Sequence, residues 1–398
     1  MLKIRFDNLI IALSQALDLL TPRTRYHHSR VALIAIRFGE SLGLRKTDLS
    51  KLFYAALLHD IGVTSSRDKL MMMDYLYTGG EAHTTYGQTI LKESPFFADI
   101  ANLVYHHHDR WLGPNKSGVI KRNIPWLSQI IGLADRLEVL LSNDQYILAQ
   151  QDFVLKKISE YSGTWFNPEL TAVLKHVSRT ESFWLDLTNC HLDKILRECS
   201  PATSGKKDYL SLDDVIKVAS VFTTVTDGKS HYTNTHSYDV HALTVKIAMA
   251  FNFSSEDLKK IKIASLLHDL GKLSIPDEIL EKVGVLTKEE YDIIKRHPYY
   301  TYQTLKLIDG FEEIARWSAL HHERLNGTGY PFKLKGEEIP LAARIIAVSD
   351  IFTALNEDRP YRKRLSPDQA FKLLQLEIKH GLIDKEVVRV LKEIISAG

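Results

Sequence analysis

The sequence predicts an all-α protein built as two tandem helical bundles, and three observations carry this. Its 398 residues exceed one ordinary core and suit two cores of roughly 200 residues each. Apolar residues recur at three-to-four spacing in "DDVIKVASVF", "LTVKIAMAF", "LKKIKIASLLHD" and "FKLLQLEI", with almost no period-two alternation. The two halves also repeat one another: "AALLHDIGV" (Ala55–Val63) and "ASLLHDLGK" (Ala264–Lys272) align with His59 and His268 209 residues apart.

Other features fall into the same register. "HHSRV" matches "THSYDV", placing His28 against His236 at an offset of 208. His83 of "EAHTTYGQTIL" meets His297 of "RHPYYTYQTLKL", and His107 and His108 of "HHHDR" meet His321 and His322 of "HHERL", each at an offset of 214. "IPWLSQIIGLAD", ending in Asp135, meets "IPLAARIIAVSD", ending in Asp350, at an offset of 215. "SGTWFNPELTAVL" echoes "HGLIDKEVVRVL" near each end. The offset drifts slowly, as loop insertions in a duplicated domain would make it. The join falls in "CSPATSGKKDY", where breaker residues interrupt the periodicity, giving domains 1–200 and 206–398. Helix starts are marked by Ser366-Pro367-Asp368-Gln369 and by Thr287 with Glu290, which leads toward His297. The N-terminal "MLKIRFDNLIIALSQALDLL" reads as an amphipathic helix rather than a signal peptide.

Composition narrows the function. Apolar and charged fractions of 44% and 25% are those of a globular protein that folds by burial alone. The two cysteines, Cys190 and Cys199, have no metal or redox spacing, so a reducing, cytoplasmic location is expected. With 51 basic and 49 acidic residues intermixed, no stripe for long nucleic acids is expected, and no run approaches the ~20 apolar residues of a membrane span.

In the second copy His236, His268, Asp269, His297, His321, His322 and Asp350 form a candidate metal cage. The absence of thiols points to iron, manganese or another borderline metal, with nickel, cobalt or magnesium as alternatives. One ion cannot use seven ligands, so two divalent ions per active site, bridged by Asp269, are expected. Such a pair activates water and neutralises phosphoryl charge, which makes phosphoester hydrolysis the expected reaction. Lys272, one turn past His268, is placed to meet the phosphate. Isolated histidines such as His176, His191 and His380 read as surface or capping residues, and His241 is no stronger a candidate.

"HDLGK", "HHERLNGTGYP", the aspartate of "RIIAVSD" and "DRPYRK" resemble the signature series of the HD-GYP phosphodiesterases, a branch of the HD metal-dependent phosphohydrolases, across residues 208–398. The resemblance implies two HD-type bundles and hydrolysis of a cyclic dinucleotide, 3′3′-cyclic GMP-AMP or cyclic di-GMP. Tandem members with a degenerate first copy favour the former. It implies one metal at His236, His268, Asp269 and Asp350, and another at Asp269, His297, His321 and His322, with Asp269 and Lys272 catalytic. It further implies that Lys272, Arg359 and Arg362 contact phosphates and that Tyr330 shapes a loop over the site. Contact with a diguanylate cyclase-type domain through that loop is implied as well.

Departures are local. Asn326 replaces the usual Asp, and Tyr232 stands where trimetal members carry a glutamate, which keeps the expected count at two metals. The first copy retains His28, His59, Asp60, His83, His107, His108 and Asp135 as a second cage, but Val63 replaces the lysine and the GYP and "RPYR" segments are missing. A non-catalytic first copy that supports the second is therefore expected. The competing readings are a non-catalytic nucleotide-sensing or partner-docking module and, behind it, a nucleotidase of the wider superfamily.

Overall fold

The computed structural model describes residues 2–21, 26–74, 81–188, 192–201, 208–230, 235–358 and 363–397. Arg359, Arg362, Tyr232 and His191 lie outside the described residues. The chain divides into an N-terminal unit, Phe6–Asp208, and a C-terminal unit, Tyr209–Gly398 together with Met1–Arg5.

Among the described residues the N-terminal unit carries α1 (Phe6–Leu17), α2 (His27–Ser41), α3 (Lys46–Leu57), α4 (Ser66–Met72), α5 (Glu81–Lys92), α6 (Ala101–Tyr105), α7 (Trp126–Val139), α8 (Gln151–Glu160), α9 (Pro168–Val177), α10 (Glu181–Leu185) and α11 (Leu192–Cys199). The C-terminal unit follows with α12 (Leu212–Asp227), α13 (His236–Ala250), α14 (Ser255–Leu267), α15 (Asp277–Leu280), α16 (Lys288–Ile294), α17 (Arg296–Leu305), α18 (Glu312–Ala319), α19 (Leu341–Asn356), α20 (Pro367–Lys379) and α21 (Lys385–Ala397). Two short antiparallel strands, β1 (Ile4–Arg5) and β2 (Tyr209–Leu210), pair Ile4 with Leu210 and Arg5 with Tyr209. The first five residues thus complete the C-terminal unit, an arrangement that sequence contiguity alone could not reveal.

Local signals explain where the helices start. Ser366 and Gln369 close a capping box with Pro367 in the first turn of α20, and Thr287 with Glu290 closes one on α16. The expected N-terminal helix is α1, and its polar side is covered as well: every residue but Gln15 is buried. No helix among the described residues is long and apolar enough to cross a membrane.

In the C-terminal unit α13 packs on α14 and α19, while α14 also meets α12 and α18. Ile261, Ile263, Ala264 and Leu267 of α14 are almost fully buried, so the helix that ends at His268 is anchored before it delivers its polar end. The following turn, Leu270–Ser274, lies against α17. A Cβ on Gly271 would fall 2.0 Å from the His297 carbonyl oxygen. Only glycine permits this approach, and it brings the His268–Asp269 pair beside His297.

Candidate metal centre and the surrounding pocket

Backbone carbonyls three residues earlier orient three of the imidazoles. In the C-terminal unit Nδ1 of His268, His297 and His321 lies 2.8, 2.8 and 2.6 Å from the carbonyl oxygens of Ser265, Ile294 and Ser318, each three residues earlier. A carbonyl only accepts, so Nδ1 carries the proton and Nε2 presents its lone pair to the interior. Thr301 reinforces the arrangement, taking the Gly271 N–H at 2.9 Å and donating to the His268 carbonyl at 3.1 Å.

Those lone pairs converge on Asp269. Its Oδ2 lies 3.2 Å from His268 Nε2 and 4.0 Å from His236 Nε2, while its Oδ1 lies 3.5 Å from His297 Nε2 and 3.9 Å from His321 Nε2. His236 Nε2 also meets Asp350 at 3.0 Å. The donor atoms of His236, His268 and Asp350 form one compact group, and those of His297, His321 and His322 form another. The two oxygens of one carboxylate therefore face two separate groups.

This donor set fits cations. His268 Nε2 is buried without a hydrogen-bond partner, and the Nε2 atoms of His297 and His321 face each other at 3.3 Å. Two lone pairs so close, and a third left unpaired in a dry interior, are costly unless a positive charge sits among them. Burial pushes His297 down to about 4 and His321 down to about 3, so both rings are neutral ligands near neutral pH. Burial disfavours the Asp269 anion, yet His268 and Lys272 hold its carboxyl well below the usual range.

Lys272 Nζ stands 2.5 Å from Asp269 Oδ2 with its side chain 22% exposed, at the mouth of the site. The Tyr330 ring lies 4.9 Å from that of His322, and its backbone N–H donates to the His322 carbonyl at 3.2 Å. Asn326 accepts the backbone N–H and the hydroxyl of Thr328 at 3.0 and 2.7 Å, the turn-forming contacts its aspartate counterpart would also make.

In the C-terminal unit two residues escaped the sequence reading. Glu357 accepts His236 Nδ1–H at 3.0 Å, fixing that ring with Nε2 inward. It lies seven positions beyond Asp350, two helical turns along the same face, which was the available signal. Glu323, within "HHERL", accepts the backbone N–H groups of Phe332, Lys333 and Leu334 at 2.7 to 3.1 Å and so ties down the Tyr330 loop. Its place next to the histidine pair gave no hint of this loop-fixing role. His176 and His380 are exposed, and His241 turns to Ser265 Oγ at 2.9 Å, outside the cluster.

The N-terminal unit assembles a related cluster and corrects the alignment by one residue. His27, rather than His28, is the counterpart of His236: it begins α2 as His236 begins α13, lies 3.4 Å from Asp135, and donates through Nδ1 to Glu138 at 2.5 Å. His28 corresponds to Ser237. His28 bonds Asp18 through its backbone N–H at 3.3 Å and Nδ1 at 2.5 Å, as Ser237 bonds Asp227 at 3.1 and 2.5 Å. Both pairs keep the 209-residue offset of the HD motif, and the doublet "HH" concealed it. His28 still keeps a ring atom near His59 and Asp60. His83, His107 and His108 gather with Asp60, and their Nε2 atoms have no hydrogen-bond partner.

Protein cations distinguish this cluster. Lys69 of α4, 1% exposed, pairs with Asp60 and restores in space the lysine that Val63 removed from the motif. Arg136 pairs with Asp135 at 3.0 Å. The position after Asp350 is Ile351, and among the described residues no Lys or Arg pairs with Asp350.

An all-helical scaffold with two adjoining His/Asp groups and a lysine at the mouth has the design of a metal-dependent phosphohydrolase. Comparison with known proteins supports that class. Models described as "HD domain" match residues 24–140 and 215–387. The chain is 30% identical to the 3′3′-cGAMP-specific phosphodiesterase 1 of Vibrio cholerae serotype O1 over 95% of this chain and 89% of that one. The crystal structure of V-cGAP3, a cyclic GMP-AMP specific phosphodiesterase of V. cholerae, superposes with a TM-score of 0.71 at 26% identity, covering 99% of this chain and 98% of that one. The cyclic di-GMP phosphodiesterase response regulator RpfG of Xanthomonas campestris pv. campestris is 44% identical over 32% of this chain and 34% of its own. The chain belongs to the HD-domain cyclic dinucleotide phosphodiesterases, metal-dependent phosphoric diester hydrolases. These comparisons do not support a diguanylate cyclase-type partner.

Proposed function

We propose that the C-terminal unit hydrolyses 3′3′-cyclic GMP-AMP in the cytoplasm, with cyclic di-GMP as the competing substrate, and that the N-terminal unit supports it without turning over. The observation that carries the reading is Asp269, whose two oxygens face two sets of imidazole lone pairs. His236, His268, Asp269 and Asp350 would hold one divalent ion, and Asp269, His297, His321 and His322 a second, iron or manganese foremost. Bound there, such ions polarise a phosphodiester and activate water for in-line attack.

The chain's own groups do the rest. The Lys272 ammonium donates to a non-bridging phosphate oxygen and keeps its proton. Tyr330, held by Glu323 through the loop backbone, covers His322 and limits solvent around the phosphate. Arg359 and Arg362 are proposed to clamp the phosphates. The choice of 3′3′-cyclic GMP-AMP rests on relatives of that specificity matching along nearly the whole tandem chain, whereas RpfG matches about a third of it.

The N-terminal unit is assigned a supporting role because Lys69 and Arg136 already neutralise Asp60 and Asp135. Incubating the metal-loaded chain with each cyclic dinucleotide and separating the products tests the reading. The expected result is faster loss of 3′3′-cyclic GMP-AMP, abolished by EDTA. Turnover of neither compound would overturn it.

A further inference from the structure

The N-terminal unit contains a cavity of about 380 Å³, within the usual span of small-ligand sites, that the proposed chemistry does not use. Its wall combines four aromatic side chains, Tyr105, Trp111, Trp165 and Phe166, with three cationic ones, Arg110, Lys116 and Arg136. We propose that this cavity is a non-catalytic binding site for a nucleotide, the base against the aromatic wall and the phosphate on the Arg110 guanidinium.

Arg110 is the central group. Its guanidinium carbon lies 3.8 Å from the centre of the Trp165 ring, a stack that fixes the plane and leaves the N–H edge available for a bidentate phosphate contact. Among the described residues it forms no ion pair. Arg136, by contrast, is committed: Nε and Nη2 hold Asp135 at 3.1 and 3.0 Å, and Nη1 faces the Met72 and Asp74 carbonyls. Asp109, the acid on the wall, is occupied by His106 Nδ1 and Ser117 Oγ, each at 2.6 Å.

The cavity is also preformed. Asn115 accepts the Arg110 backbone N–H at 2.8 Å and donates to the carbonyls of Arg110 and Val119 at 2.8 and 2.7 Å, while the Trp111 N–H reaches the Trp165 carbonyl at 2.8 Å. Such bonding lowers the ordering cost of binding. His107 and His108 line the cavity on the side of the Asp60 cluster. The aromatic rings separate a nucleotide from a bare anion, and the cations separate it from a neutral aromatic.

The inference does not depend on which cyclic dinucleotide the C-terminal unit cleaves. The full chain in EDTA, where turnover stops, is followed by backbone hydrogen exchange with GMP, AMP, 3′3′-cyclic GMP-AMP and inorganic phosphate in separate arms. Slower exchange at residues 105–119 and 161–167 with at least one nucleotide, and not with phosphate, is expected. The arm that protects at the lowest concentration identifies the source. Arg110→Ala should weaken that protection about tenfold or more in midpoint concentration, and Lys116→Ala, at an exposed position, should weaken it less with the fold intact. No protection by any nucleotide, equal protection by phosphate, or protection unchanged in both variants would overturn the proposal. Hydrolysis measured separately with metal shows whether the assigned activity stands independently.

Discussion

Asp269 and Lys272 occupy one short turn, yet their roles separate cleanly in the geometry. The carboxylate faces the imidazoles with both oxygens, whereas the amine reaches the opening. Lys272→Ala should therefore lower kcat about 10²-fold, as loss of one preorganised donor does, while metal content by elemental analysis stays at the wild-type level. Loss of the metal with the lysine would show that the amine supports the cage instead. A second residue-scale expectation concerns Asp227, whose carboxyl burial pushes up to about 6 despite two hydrogen bonds from Ser237. The folded chain then binds a proton that the unfolded chain releases near pH ~4, so this stabilisation is complete below ~4 and is lost as pH rises through about 6. In metal-free protein, melting temperatures from pH 4 to 7.5 should show the wild type losing ground to Asp227→Asn as pH rises. A pH-independent difference would refute the linkage.

Helix ends, more than helix interiors, build the site. α14 delivers His268 and Asp269, α17 begins at Arg296 with His297 second, α18 ends just before His321, and α19 carries Asp350. Gly271 sets the distance between the first two, since a Cβ there would meet the His297 carbonyl at 2.0 Å. Gly271→Ala should cost about 1–3 kcal/mol in stability by overpacking and displace His297, with metal content and turnover falling together. Wild-type metal content in that variant would mean the contact is slack. At this scale most of the architecture was legible: the three-to-four spacing gave the helices, and histidines ending apolar runs gave the cage. What stayed hidden came from geometry without a sequence period. The "HH" doublet allowed a one-residue slip until His27 was seen against Asp135. Lys69 sits nine residues after Asp60 rather than three, and only the fold of α4 returns it to the carboxylate. The burial of α1 depends on what covers it, which its own sequence does not state.

For the whole molecule, the contrast between the two clusters is electrostatic. In the N-terminal unit protein cations meet both carboxylates, while in the C-terminal unit Asp350 has no Lys or Arg partner among the described residues. Dividing the chain at residue 206 is a poor test of the support role, because β1 pairs with β2 and Ile4 is fully buried, so the truncation damages the C-terminal unit itself. Paired substitutions in the full chain avoid this. The most direct measurement is turnover of 3′3′-cyclic GMP-AMP by two metal-loaded full-length variants with unchanged circular dichroism. His268→Ala with Asp269→Ala should abolish hydrolysis, and His59→Ala with Asp60→Ala should retain substantial activity. The reverse pattern, activity surviving the first pair and vanishing with the second while the C-terminal unit keeps its metal, would contradict the account.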